Sequence, residues 1–205
     1  MATDRALTPL ALLVLALLNE DDMHPYEMIR LMRSRSDDRL VRVTTGTVYH
    51  TINRLVAAGL ACEVGVDREG KRPERTTYSL TTAGREAMRA WVRVQFSAPT
   101  RAEHLRVALS VSHNLERDEM VSLLERRVDI LTRERSTHEQ GLATARAQRV
   151  PEQFLLEVDR ECEQLATDLR WTQGLLRRLR DEGMPWGHAT EKSDRYIAQR
   201  EAARA

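Results

Sequence analysis

The chain has 205 residues, room for one domain or two small ones, and 41% hydrophobic content is enough for a core. A formal net charge of +1 gives no overall basic signature, so a nucleic-acid reading has to rest on where the charges sit. Cys62 and Cys162 stand far apart with no CxxC or Cys/His cluster, which excludes a structural zinc site and suits a reducing compartment.

Thr8-Pro9 starts the first predicted helix, with a hydroxyl cap and a proline where its missing amide does no harm. Leu10, Leu13, Val14 and Leu17 form one face, and Leu12, Leu15 and Leu18 make the helix apolar nearly all round, as in a buried helix. The run Leu10 to Leu18 is shorter than the roughly 20 residues of a membrane span. It has one preceding basic residue, Arg5, and no small-residue cleavage site follows, so we expect a cytoplasmic protein without a signal peptide. Pro25 opens a second helix through about Arg33, with Met28, Ile29 and Met32 inward.

Thr44 to Leu55 reads as a third helix. Thr44 is a good N-cap, and Val48, Ile52 and Leu55 share one side at spacings of four and three. The opposite side carries Thr47, His50, Thr51 and Arg54, which are polar, not acidic, and able to donate hydrogen bonds. A short capped helix of this kind suits the major groove of DNA, which admits one α-helix. An ordinary amphipathic helix of a small helical domain would show the same pattern.

Gly59 ends this helix as a left-handed cap, and the period changes to two. Cys62, Val64 and Val66 alternate as a half-buried strand, and Thr76, Tyr78 and Leu80 as a second. The loop between them carries Arg68, Lys71 and Arg72, so helix-turn-helix plus hairpin reads as a winged helix whose wing can reach phosphates or the minor groove. Thr81 caps a fourth helix towards Phe96, and Ser97-Ala98-Pro99 breaks it. We therefore expect a winged-helix DNA-binding domain over residues 1–96.

A short helix over Ala102 to His113 opens the next part. Val121, Leu124, Val128, Leu131, His138, Leu142 and Ala145 follow a three-four repeat, with Arg135 as a charged lapse. After Pro151, Leu155, Val158, Cys162, Leu165, Leu169, Thr172, Leu176 and Leu179 repeat without a break over more than three heptads. Two arms joined at Pro151 read as an antiparallel coiled-coil hairpin, each roughly 45 Å long at 1.5 Å per residue. The stripe is too long for one chain of this size to bury. Leu124, Val128, Leu131, Leu155, Val158, Cys162, Leu165, Leu169, Leu176 and Leu179 are accordingly expected to pair two copies, making 97–183 a dimerisation domain and the protein a homodimer. The alternative is an intramolecular hairpin packed back on the winged helix. Residues 184–205 are polar and expected to be a flexible tail.

Catalysis finds little support. The six histidines are scattered, with no metal-ligand spacing, no Gly-rich phosphate loop and no GxSxG elbow, so no enzyme activity, metal or cofactor is expected. Trp91 and Trp171 offer flat faces of the kind an effector pocket uses, and packing is the other reading of each. A second functional class, a coiled-coil adaptor whose winged helix binds protein, fits the modest net charge.

Four segments in order complete the pattern: Leu7-Thr8-Pro9-Leu10-Ala11-Leu12-Leu13, Met23-His24-Pro25-Tyr26-Glu27-Met28, Thr45-Gly46-Thr47-Val48-Tyr49-His50 with Arg54-Leu55, and Arg75-Thr76-Thr77-Tyr78-Ser79-Leu80-Thr81-Thr82-Ala83-Gly84. In this the chain resembles PadR-type transcriptional regulators of the subgroup with a long helical C-terminal domain. The resemblance spans most of residues 7–90 and implies a homodimeric winged-helix protein, in most members a repressor, released from operator DNA by a small molecule or another cue. It places Tyr26 and Tyr49 near phosphates, the exposed positions Thr45, Gly46, Thr47, His50, Thr51 and Arg54 towards bases, and residues 68–72 at the wing tip. Pro25 stands where a glycine is usual, which suits a helix start. The C-terminal half matches by pattern alone.

Overall fold

The computed structural model describes residues 7–67, 75–97, 102–181, 184–187 and 194–204. The element order is α1 (Pro9–Glu20), α2 (Pro25–Ser34), α3 (Thr45–Ala57), β1 (Ala61–Asp67), β2 (Arg75–Leu80), α4 (Thr82–Ser97), α5 (Ala102–Val111), α6 (Arg117–Ala147), α7 (Leu156–Arg180) and α8 (Asp194–Arg204). The fold is mainly helical with one two-stranded antiparallel sheet. It divides into two compact units: Met1–Arg93 with Arg101–Asn114 and His188–Ala205, and Val94–Thr100 with Leu115–Gly187. The first domain therefore gathers segments from three parts of the chain, which a linear split at residue 96 misses.

Cap chemistry sets the helix ends of the first unit. Thr8 Oγ1 accepts from Ala11 N at 3.2 Å and Pro9 occupies the first helical position, as expected. His24 caps α2, its Nδ1 accepting from Tyr26 N at 3.1 Å. Gly59, at φ 70°, closes α3: its amide donates to Val56 O at 2.9 Å and that of Leu60 to Leu55 O at 2.9 Å. These two bonds are a Schellman motif, which needs a left-handed residue and favours glycine. Thr81 Oγ1 accepts from Gly84 N and donates to Gly59 O, joining the start of α4 to the end of α3. A Cβ on Gly84 would lie 2.0 Å from Leu60 O, so this junction tolerates only glycine.

The core of this unit is the all-apolar face of α1, the inward side of α2 (Met28, Ile29, Leu31, Met32) and Val48, Ile52 and Leu55 of α3, all buried. Strands β1 and β2 pair Ala61 with Leu80 through Asp67 with Arg75, with a bulge between Glu63 and Gly65. Met23 adds an isolated antiparallel bridge to Tyr78, with two 3.0 Å bonds that hold the α1–α2 loop against the hairpin. The expected alternation on β1 is absent over residues 62–65, all of them exposed. Cys62 and Val64 are exposed and Ala61 is buried, because Ala61, not Cys62, takes the inward register.

The C-terminal residues also depart from expectation. Residues 194–204 form a helix packed on α2. Arg200, with its side chain 5% exposed, ion-pairs with Glu27 at 3.0 Å and Asp21 at 3.3 Å, and Arg204 reaches Glu27 at 3.2 Å. Arg200 and Ala203 are buried one turn apart, and Arg35 lies over the Tyr196 ring. The polar composition of this segment conceals a buried face because charge pairing, not apolar content, holds it down.

In the second unit α6 and α7 pack side by side, antiparallel. Leu131 clusters with Leu165, Leu169 and Val128, and Leu142 with Leu155, Cys162, Val158, Ala145 and Val150. Leu124, Leu176 and Leu179 are buried as well. The seam assigned above to dimerisation is thus closed within one chain. The expectation that a single chain could not bury it is corrected, because each arm presents its own stripe and the two stripes cover each other. At the arm junction Arg149 sits at φ 59°, with Val150 N bonded to Ala145 O at 3.0 Å, the geometry Gly59 has at the end of α3. Arg127 is buried on α6; burial pushes its guanidinium below the ordinary value, against the attraction of Asp168 and Glu134.

Candidate nucleic-acid interface

Helix α3 begins with a reciprocal capping box. Thr44 Oγ1 accepts from Thr47 N at 3.2 Å, and Thr47 Oγ1 accepts from Thr44 N at 3.0 Å. Thr47 Oγ1 also donates to Thr44 O at 2.9 Å, so this hydroxyl is held by the turn although its residue is exposed. Thr45, Gly46, Tyr49, His50, Asn53 and Arg54 are exposed as well. Thr51 is not: it is 8% exposed beside the core residues Ile52 and Leu55. The expectation that Thr51 faces DNA is corrected, because its position on the helix falls between the polar and the apolar sides.

Tyr49, 37% exposed, lies edge-on to His24, with ring centroids 6.2 Å apart. Tyr26, 51% exposed at the start of α2, carries the Arg30 guanidinium 5.8 Å above its ring. The two tyrosines named from the sequence therefore stand on the helix ends that meet at His24, each with an exposed ring. Glu27, which would set a negative charge beside Tyr26, is ion-paired to Arg200 and Arg204. Two groups escaped the sequence reading, the half-buried Arg30 and the exposed Asn53. Arg30 is one turn after Tyr26, and Asn53 one turn after Tyr49, so the i,i+4 rule could have found both. Arg68, Lys71 and Arg72, the wing residues, lie outside the described residues.

The two tryptophans named as effector candidates, Trp91 and Trp171, fall in different units. Trp91 on α4 is half-buried against His104 of α5, with centroids 5.7 Å apart, whereas Trp171 on α7 is 47% exposed. Burial, with Glu139 and Asp159 adding, pushes the Cys162 thiol up, away from the thiolate a nucleophile needs. Among the described residues no group of three His, Cys, Asp or Glu could hold a metal ion, and no helix is long and apolar enough to cross a membrane.

A capped helix with a free donor face, a β-hairpin behind it and three helices beneath are joined here within residues 8–97, and residues 14–90 match the model of the transcriptional regulator PadR-like family. Residues 14–90 are a PadR-like domain. That family consists of transcriptional regulators, not enzymes. No curated protein matches the chain. Among solved structures, the chain is similar to Bacillus subtilis PadR in complex with operator DNA, at 17% identity over 83% of this chain and 98% of that one, TM-score 0.39. It is also similar to smu.1604c from Streptococcus mutans UA159, at 14% identity over 82% and 98%, TM-score 0.38. A third, Bacillus subtilis PadR in complex with p-coumaric acid, is 16% identical over 85% and 100%, TM-score 0.34.

Proposed function

We propose that this protein is a sequence-specific DNA-binding transcriptional regulator of the cytoplasm, a repressor that binds an inverted-repeat operator as a homodimer. The observation that carries the reading is the outer face of α3. Among the described residues, no hydrogen bond or ion pair engages the side chains of His50, Asn53 or Arg54. The helix presenting them is fixed by its capping box and by the buried Val48, Ile52 and Leu55. A rigid helix with uncommitted donors on its outer face has the size and chemistry of a major-groove reader. On this reading Tyr26, Tyr49 and Arg30 meet phosphates, and so do the wing residues Arg68, Lys71 and Arg72.

A single short helix makes few base contacts, and a two-fold pair set one DNA turn apart, about 34 Å, doubles them. With the leucine seam closed, the large apolar side chains left exposed on the second unit for a second copy are, among the described residues, Val94, Phe154, Leu156 and Trp171. For a small-molecule effector we propose the aromatic face of Trp91 beside His104, with Trp171 as the other candidate.

Binding of the purified protein to duplex carrying its own upstream DNA tests the reading. Affinity should fall with salt at a log-log slope of about −0.9 per neutralised phosphate. A flat salt response, or no binding, would contradict it and favour a protein-binding adaptor.

A further inference from the structure

The polar side chains of α3 are not equally available. Thr47 is occupied by the capping box, Thr51 is buried, and Tyr49 leans on His24. At roughly 100° per residue, Gly46, His50, Asn53 and Ala57 fall in one narrow stripe opposite the buried Val48, Ile52 and Leu55. This stripe is the part of the helix that any surface facing α3 meets first. Its two ends are small residues. A Cβ on Gly46 would touch nothing within 4 Å, so no neighbour among the described residues calls for glycine there. The centre holds His50 and Asn53, both exposed, with Arg54 to one side and Tyr49 to the other.

We propose that Asn53 is a specificity-determining residue, its carboxamide pairing with the N6 amino group and N7 of an adenine in the major groove; this rests on the DNA-binding reading above. Three features support it. Asn53 is at the middle of the exposed stripe, where a short side chain meets base edges, whereas the flanking Arg54 and Tyr49 are placed for the phosphate walls. A carboxamide offers one donor and one acceptor side by side, the pattern that matches adenine and no other base in that groove. His50 and Asn53 are separated by about 4.5 Å along the helix axis. That is comparable with the roughly 3.4 Å between successive base pairs, so the two residues address neighbouring steps. With no internal partner among the described residues, the Asn53 amide is free to adopt the required orientation.

The test is selection of bound sequences from a randomised duplex pool by the full-length protein, comparing wild type, Asn53→Ala and His50→Ala. Wild type should enrich an inverted repeat. Asn53→Ala should lose roughly tenfold preference at one A·T position in each half-site while keeping the others. His50→Ala should relax an adjacent position instead. Because Asn53 is exposed and alanine is the better helix former, thermal unfolding of the variant should be unchanged or slightly higher. An Asn53→Ala motif identical to wild type, an equal loss of affinity for all sequences, or relaxation at a G·C position would overturn the proposal while leaving the DNA-binding reading in place. Failure of the wild type to enrich any motif would overturn both.

Discussion

Helix α3 and helix α7 are both amphipathic, yet they leave opposite faces free. In α3 the apolar side is buried beneath the winged helix and the polar side stays uncommitted. In α7 the long apolar stripe is matched by α6, and what remains outside is mostly charge, with Trp171 as an exposed aromatic. A surface is available for recognition when nothing in the chain satisfies it, whatever the strength of its periodicity. The strongest repeat in the sequence is closed within the chain, and the proposed DNA contacts fall on the shorter helix.

The two regions also differ in what holds them, and substitutions can separate them. Arg200→Ala should have the largest effect. It leaves Glu27, itself 8% exposed, without its closest cation, and removing one partner of a buried pair costs about 3–5 kcal/mol. Urea unfolding of the winged-helix unit reads this directly, and a loss below about 1 kcal/mol would mean that α8 is dispensable. Leu165→Ala should destabilise the α6–α7 hairpin by about 2–5 kcal/mol, depending on how far Leu131 and Leu169 close the cavity. Helicity lost on heating should then come from the arms first; a variant as stable as wild type would show that the seam is not closed within the chain.

Smaller changes probe α3 itself. Thr44→Ala removes one half of the capping box and should cost about 1 kcal/mol, together with weaker DNA binding as the first turn frays. Equal DNA affinity would detach that turn from the interface. Gly46→Ala should act with opposite signs in two assays, stabilising the fold by about 0.5–1 kcal/mol and weakening binding by crowding the groove. Improved stability with unchanged binding would move the interface away from Gly46.

What could be read from the sequence was mostly local. Thr8-Pro9, Thr44 and Gly59 act within one or two turns of their own position, and each forms the cap its residue type implies. The winged-helix fold followed from such signals in order. The partner of the leucine seam did not, because a three-four repeat specifies an apolar face and not whose face covers it. Thr51 was misplaced because polarity alone cannot locate the border of a buried surface. Asn53 was passed over in favour of its neighbour Arg54, because polarity alone does not rank two adjacent exposed side chains. α8 was missed because its large buried side chain is an arginine, and Arg200 is inside only by virtue of Glu27 and Asp21, more than 170 positions earlier. Arg149 in a left-handed conformation gave no signal at all, since glycine is the residue that usually marks such a turn.

Amide hydrogen exchange along the whole chain, with and without the selected duplex, tests the division between the two helices most directly. Added protection should appear over residues 45–57 and at the start of α2, with little change over residues 156–180. Protection along α7 with α3 unchanged would contradict the assignment of α3 as the DNA-reading helix.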